Sequence, residues 1–284
     1  MAFFTFCRIY FTMFATIKTV SEPENFWKKV KYNLMPPPIQ SEVVHVDGGS
    51  DFLKLTVPIV RGKIYWNHVQ SVAGAAAGNL LMTKDITIHE QAQLRAFRSD
   101  KLSELVTINS FFKLLSLLPG GILEKECAVI DYPGTLAKNL RLLPRRCRTV
   151  RIITANAVKY KALSEESLAQ YGCALQIGND ITKAFDATVI LMPHRAQIPT
   201  AFSAQSLVFA AFRENLYTAR LITPEGISLP EKYLSLMPGG ISPLQFAGAL
   251  YELSGVSALK DSVCPAFRLQ NQILSYKDVI SMLD

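Results

Sequence analysis

Long uncharged stretches are scarce in this chain of 284 residues. The most apolar segment, MAFFTFCRIYFTMFATIKTV at residues 1–20, is broken by Arg8. Its longest uncharged run, Ile9 to Ile17, falls well short of the roughly 18 residues that a spanning helix requires. It lacks a basic segment ahead of its apolar part and a small-residue cleavage site, so neither a membrane nor export is expected. Its alternating aromatic and β-branched residues predict a strand, with residues 1–12 either part of that strand or extraneous to a chain starting at Met13. The five cysteines (Cys7, Cys127, Cys147, Cys173 and Cys264) are odd in number and show no C-x-x-C spacing. That pattern excludes a disulfide framework and predicts reduced, structural thiols in a cytoplasmic protein. Of the four histidines, His45, His68 and His89 have no His, Cys or acid at ligand spacing, so no metal site is expected.

A concentrated charge is also missing. The net charge is +7, but residues 1–125 hold 14 Lys and Arg against 10 Asp and Glu, and residues 126–284 hold 16 against 13. Neither half has the basic excess of a polynucleotide-binding domain, and no nucleic-acid partner is expected. The one dense cluster, RLLPRRCRTVR at 141–151, falls between a predicted crossover and the start of a strand. That is the sheet edge opposite a ligand crevice, so a solvated face or a contact between subunits of a homo-oligomer is favoured over an anion site. What the chain does have is 49% hydrophobic residues, enough to bury a core in one large or two ordinary domains and to exclude disorder.

In the first hundred residues, EPENFWKKVKYNL has helical spacing and is ended by PPP at 36–38. SEVVHV and FLKLTVPIVRGKIYW read as strands around the turn residues DGGSD. The Ala- and Gly-rich stretch Asn67 to Leu81 predicts close backbone packing, with room for a ligand as the alternative. An amphipathic helix is predicted over 101–118, stopped by PGG. Strand and helix then alternate: strands at 127–131, 149–154, 173–177, 187–192 and 206–211, helices at 135–144 and 159–171. Helical crossovers require parallel strands, and the first four are expected in the order 3-2-1-4. The link FRENL is too short for a helical crossover, so the last two strands are expected to form an antiparallel hairpin. Ser242 and Pro243 mark the start of a helix over 243–254. The fold class expected is α/β: a Rossmann-like, mostly parallel sheet within residues 101–284 and a smaller N-terminal α+β domain at 1–100. The helices at 101–118 and 243–254 are read as linkers.

The turn after the first of these strands lacks glycine where a dinucleotide fold needs it. In AVIDYPGTLAKNL, at 128–140, the three positions of G-x-G-x-x-G read Asp131, Pro133 and Leu136. Pro133 has no amide hydrogen to offer a pyrophosphate, and Leu136 puts a bulky side chain at the helix–strand contact.

Even so, residues 126–192, with KAFDATVILMP, resemble the NAD(P)-binding domain of two-domain dehydrogenases of the shikimate dehydrogenase kind. That resemblance implies an NAD(P) cofactor. The second strand ends TAN instead of in an acid for the adenosine ribose, with Lys159 and Lys161 following, a pattern compatible with a 2′-phosphate. DYPGTL and IITAN also resemble the first two motifs of haloacid dehalogenase-like phosphatases. That second resemblance implies Asp131 as nucleophile and Thr154 as phosphate ligand. Pro133 stands where its general acid would be and cannot transfer a proton. Asp131 and His194 both come from the carboxyl edge of the predicted sheet, where open α/β sheets bind ligands. Asp131 either meets a ligand or accepts from the amides of its own turn; His194 is either an acid–base group or a solvated loop residue. The candidate ligand-binding set is Asp131, Gly134, Thr135, Thr154, Asn156 and His194. The leading expectation is a small polar ligand or nucleotide in the cleft between the two domains. An NADP-dependent oxidoreductase with a divergent turn is the second, and a non-catalytic scaffold the third.

Overall fold

The computed structural model describes residues 14–21, 38–60, 62–83, 85–88, 93–119, 124–194, 202–212 and 220–283. The helix expected within 22–34 and the segment 1–12 lie outside these residues. The chain divides into two compact units, Met1–Ser99 with Leu229–Leu259 and Asp100–Ser228 with Lys260–Asp284. Residues 229–259, expected within the second domain, thus group with the first.

In the first unit, β1 (Ala15–Val20), β2 (Gln40–Val44), β3 (Phe52–Pro58) and β4 (Leu80–Leu81) form a sheet in the order β2-β3-β1-β4. β1 is parallel to β3 and β4, and β2 is antiparallel to β3. The two-residue alternation of a strand puts Ala15, Ile17, Leu53, Leu55 and Val57 on one face. There they pack against Val69 and Ala73 of the helix Trp66–Ala73 and against Ala76 and Ala77 of the turn that follows. Of the small residues of this stretch, Ala73, Ala76 and Ala77 are buried, whereas a Cβ on Gly74 or Gly78 would meet nothing within 4 Å.

On the other face, Phe14 stacks on Phe52 with ring centroids 4.8 Å apart, and Phe246 meets both edge-on at 6.4 and 5.7 Å. Phe246 belongs to the helix Pro243–Glu252 and is fully buried, which stabilises this docking by about 2–3 kcal/mol. Gly248 lets the same helix close on Ser99, because a Cβ there would lie 2.0 Å from the Ser99 hydroxyl oxygen. These contacts explain why residues 229–259 join the first unit. Pro243 occupies the first helical position as expected, while the Ser242 side chain makes no capping bond.

The second unit is built on β5 (Cys127–Ile130), β6 (Val150–Ile153), β7 (Leu175–Gly178) and β8 (Val189–Met192). The chain continues through β9 (Leu207–Ala210), β10 (Arg220–Glu225), β11 (Ala266–Leu269) and β12 (Gln272–Leu274). Their order across the sheet is β12-β11-β10-β9-β8-β5-β6-β7. The six strands β5 to β10 are parallel, and β11 and β12 add antiparallel neighbours. Counted from β5, the parallel part runs 3-2-1-4-5-6, the Rossmann-like order. β5, β8 and β9 are buried along their whole length, as central strands covered on both faces must be. The helix Lys101–Ser116 covers one face, with Phe111 5.0 Å from Phe209 of β9. No helix among the described residues is long and apolar enough to cross a membrane.

Two local expectations need correction. β9 and β10 are parallel and do not form a hairpin. β9 ends at Ala210 and β10 starts at Arg220, so nine residues (211–219) link the strands. Nine residues reach up to about 30 Å, more than twice the about 13 Å that a four-residue strand spans. The helix expected at 135–144 is absent as well; a 3-10 turn occupies Asn139–Leu142. The apolar spacing that suggested it is real, since Leu136, Leu140 and Leu143 are all buried. Pro144 has no amide hydrogen for the Leu140 carbonyl, and consecutive tight turns bury the same leucines.

Candidate functional site

The site is built where β5 ends. The Asp131 amide continues the ladder to the Ile153 carbonyl at 2.9 Å, and the chain then turns through Tyr132 and Pro133 to Gly134, whose φ is +64°. Folding the chain this way tucks the Asp131 side chain under its own turn, where it is 0% exposed. Its oxygens accept from the Leu136 amide at 2.8 Å, His194 Nε2 at 3.1 Å, the Thr135 hydroxyl at 3.4 Å and the Tyr160 hydroxyl. His194, two residues beyond β8, turns its other nitrogen to Glu104 on the helix Lys101–Ser116, with Nδ1 2.9 Å from Oε1. Its Nε2 also lies 3.1 Å from the Thr135 hydroxyl. A histidine thus bridges two carboxylates at the point where the strand order reverses between β5 and β8.

The electrostatics follow from these contacts. Burial disfavours a charged imidazole, but the hydrogen bonds to Asp131 and Glu104 outweigh it, and the pKa of His194 rises from 6.5 to about 9. Burial pushes the Asp131 carboxyl up, yet the hydrogen bonds from His194, Tyr160, Leu136 and Thr135 bring it below its usual range. Burial, with Asp131 beside it, pushes the Tyr160 phenol far above its ordinary value. At neutral pH the network is an imidazolium between two carboxylates with a neutral phenol attached. His194 has both ring nitrogens engaged, Nδ1 with Glu104 and Nε2 with Asp131 and Thr135.

A second set of contacts closes the turn from above. Asn156 Nδ2 donates to the carbonyls of Tyr132 and Pro133 at 3.3 and 3.1 Å, and Lys159 Nζ donates to Pro133 at 2.9 Å. The Thr154 hydroxyl accepts from the Asn156 amide at 3.1 Å. A Cβ on Gly134 would lie 2.9 Å from Asn156 Cβ and 3.1 Å from Lys159 Cδ. Where a dinucleotide cradle presents amide hydrogens to a phosphate, this turn presents carbonyls, and its own side chains occupy them. Lys159, compatible in sequence with a 2′-phosphate, is a clamp on the turn.

All six candidate residues therefore meet around one turn, in two groups: Asp131, Thr135 and His194 beneath it, Gly134, Thr154 and Asn156 beside it. Asp131 is fully buried, and its oxygens accept from the Leu136 amide, the Thr135 and Tyr160 hydroxyls and the His194 ring. Sequence reasoning missed Glu104 and Tyr160. Glu104 sits in the first turn of its helix, where an acid reads as a complement to the helix dipole. The arginine cluster is largely paired with nearby acids: Arg148 with Glu124 at 2.7 Å, Arg151 with Glu126 at 2.8 Å and Arg141 with Glu166 at 3.9 Å. Among the described residues, no group of three His, Cys, Asp or Glu is placed to hold a metal ion.

No family model and no curated protein matches this chain. Its second unit has a Rossmann-like fold. Similar solved structures include L-tryptophan dehydrogenase from Nostoc punctiforme, 12% identical over 96% of this chain and 81% of that one, with a TM-score of 0.33. Shikimate dehydrogenase from Aquifex aeolicus is 11% identical over 88% and 96%, with a TM-score of 0.30. For Δ1-pyrroline-2-carboxylate reductase from Thermococcus litoralis the match is 12% identical, spans 42% of this chain and only 39% of that one, and has a TM-score of 0.27. At these values the likeness is one of general architecture and carries no functional argument.

Proposed function

We propose that the second unit binds a small polar ligand without a diphosphate at the carboxyl edge of its parallel sheet, beside Thr135 and Asn156. The observation that carries this reading is the occupied turn: Asn156 and Lys159 hold the Tyr132 and Pro133 carbonyls, and nothing larger than hydrogen fits on Gly134. A pyrophosphate needs amide donors and close approach there, and the buried Asp131 carboxylate repels a phosphate as well. The location is supported by the general rule that open α/β sheets take ligands where the strand order reverses, and by the exposed side chains of Thr135 and Asn156 at that edge. A nicotinamide-dependent oxidoreductase is the second reading, and the strand order 3-2-1-4-5-6 favours it. Four buried free thiols, Cys127, Cys147, Cys173 and Cys264, support a reducing, cytoplasmic setting.

Calorimetric titration with NADH and NADPH tests the choice. The proposal expects no binding tighter than roughly millimolar, about 4 kcal/mol. Micromolar binding of either cofactor, weakened by Gly134→Trp, establishes the oxidoreductase reading instead. Native mass spectrometry of protein purified without added cofactor is expected to retain a small metabolite at this edge, lost on Asn156→Trp.

A further inference from the structure

A groove formed by described residues lies in the first unit. It measures 1080 Å³, the upper end of the range for small-molecule sites. Its apolar side is made by Met82, Ile86, Ile88 and Leu94. Leu94 belongs to the core of the first unit, and the other three pack against that core, so this wall is anchored. Its polar side carries Arg95 and Arg98. The segment bearing them is held in place by the backbone: the Leu80 amide donates to the Arg95 carbonyl at 2.8 Å, and the Phe97 amide donates to the Leu80 carbonyl at 2.8 Å. Ala96 pairs with Leu80 of β4 as an added parallel bridge. Neither guanidinium has an ion pair or hydrogen bond with any other described residue, in contrast to the paired arginines of the second unit. Two smaller grooves, of 480 and 690 Å³, each share lining residues with this one and have no arginine among their described lining residues.

We propose that this groove binds an amphipathic anion, a molecule with one carboxylate or phosphate group on an apolar body. The planar fork of an arginine matches either oxyanion, and two unpartnered arginines beside an apolar wall complement a head group and a tail at once. The anchored wall is pre-formed, so binding orders little of the protein. The proposal is independent of the reading of the carboxyl edge, because it concerns other residues in the other unit.

The test titrates the full chain by calorimetry with octanoate, octyl phosphate and octyltrimethylammonium, at low salt. At least one anion is expected to bind with submillimolar affinity, and the tighter of the two identifies the preferred head group. The cation is expected to bind at least tenfold more weakly. Arg95→Gln combined with Arg98→Gln is expected to weaken the anion at least tenfold while leaving the circular dichroism spectrum unchanged. Ala96→Trp, at an exposed position in the groove, is expected to block the tail and weaken both anions. Failure of both anions to bind, equal binding of the cation, or binding that survives the double arginine substitution overturns the proposal.

Discussion

In the second unit Asp131, His194 and Glu104 spend their charges on one another, whereas in the first unit Arg95 and Arg98 face a groove without a partner among the described residues. The difference follows from burial. Asp131 has no solvent contact, so an unpaired charge there would cost several kcal/mol and its hydrogen bonds must be complete within the fold. Arg95 and Arg98 are exposed and hydrated, so each can await a ligand at little cost. A strongly perturbed titration at a sheet's ligand edge is therefore ambiguous: it marks either a functional group or a structural lock. Here the buried groups satisfy one another, and the two arginines line a groove.

The comparison breaks most visibly if Asp131 proves dispensable. Asp131→Ala leaves His194, Tyr160 and the Leu136 amide without their shared acceptor and is expected to destabilise the protein by about 3–5 kcal/mol. Urea unfolding followed by circular dichroism measures this. A loss below about 1 kcal/mol would mean that Asp131 is not a lock and that the edge is free to serve a ligand.

The next effect is a pH dependence. Because the folded pKa of His194 is raised, its contribution is complete below pH 6.5 and declines as pH rises through about 9. At 1.36 kcal/mol per pKa unit, the rise from 6.5 to about 9 makes that contribution at most about 3.4 kcal/mol. Asp131, whose folded pKa is lowered, contributes above its unfolded value of 3.8 and loses that contribution as pH falls. Stability is therefore expected to be greatest between about pH 4 and 6.5, and His194→Gln should flatten the alkaline decline. An unchanged alkaline slope in that variant would remove His194 from the lock.

A smaller change tests the turn. Gly134→Ala must adopt a φ of +64° with its Cβ 2.9 Å from Asn156 Cβ, and is expected to cost about 1–2 kcal/mol in thermal unfolding. A neutral result would show that the turn can open enough to admit a phosphate. Smallest of all, Arg95→Gln with Arg98→Gln should alter stability by no more than about 0.5 kcal/mol, since exposed, unpaired side chains hold nothing in place.

Periodicity and composition by themselves determined the strands from Cys127 to Met192 and their parallel order. These are local or nearest-neighbour properties: apolar runs of four or five residues become buried strands, and Pro133 cannot donate wherever it lies. The turn also drew Gly134, Thr135, Thr154 and Asn156 together, because consecutive parallel strands end at the same edge. Three features needed the tertiary structure. The leucines at 136, 140 and 143 had helical spacing, but consecutive tight turns bury them, and Pro144 has no amide hydrogen for the Leu140 carbonyl. β9 and β10 are parallel, with nine residues between them and only a four-residue strand to retrace. The lock joins Glu104, Asp131, Tyr160 and His194, which span ninety positions of sequence and meet only when the helix, two strand ends and a 3-10 turn are packed. No spacing along the chain encodes such a meeting, because which donor finds Asp131 is decided by where the sheet and helix leave a buried carboxylate to be satisfied.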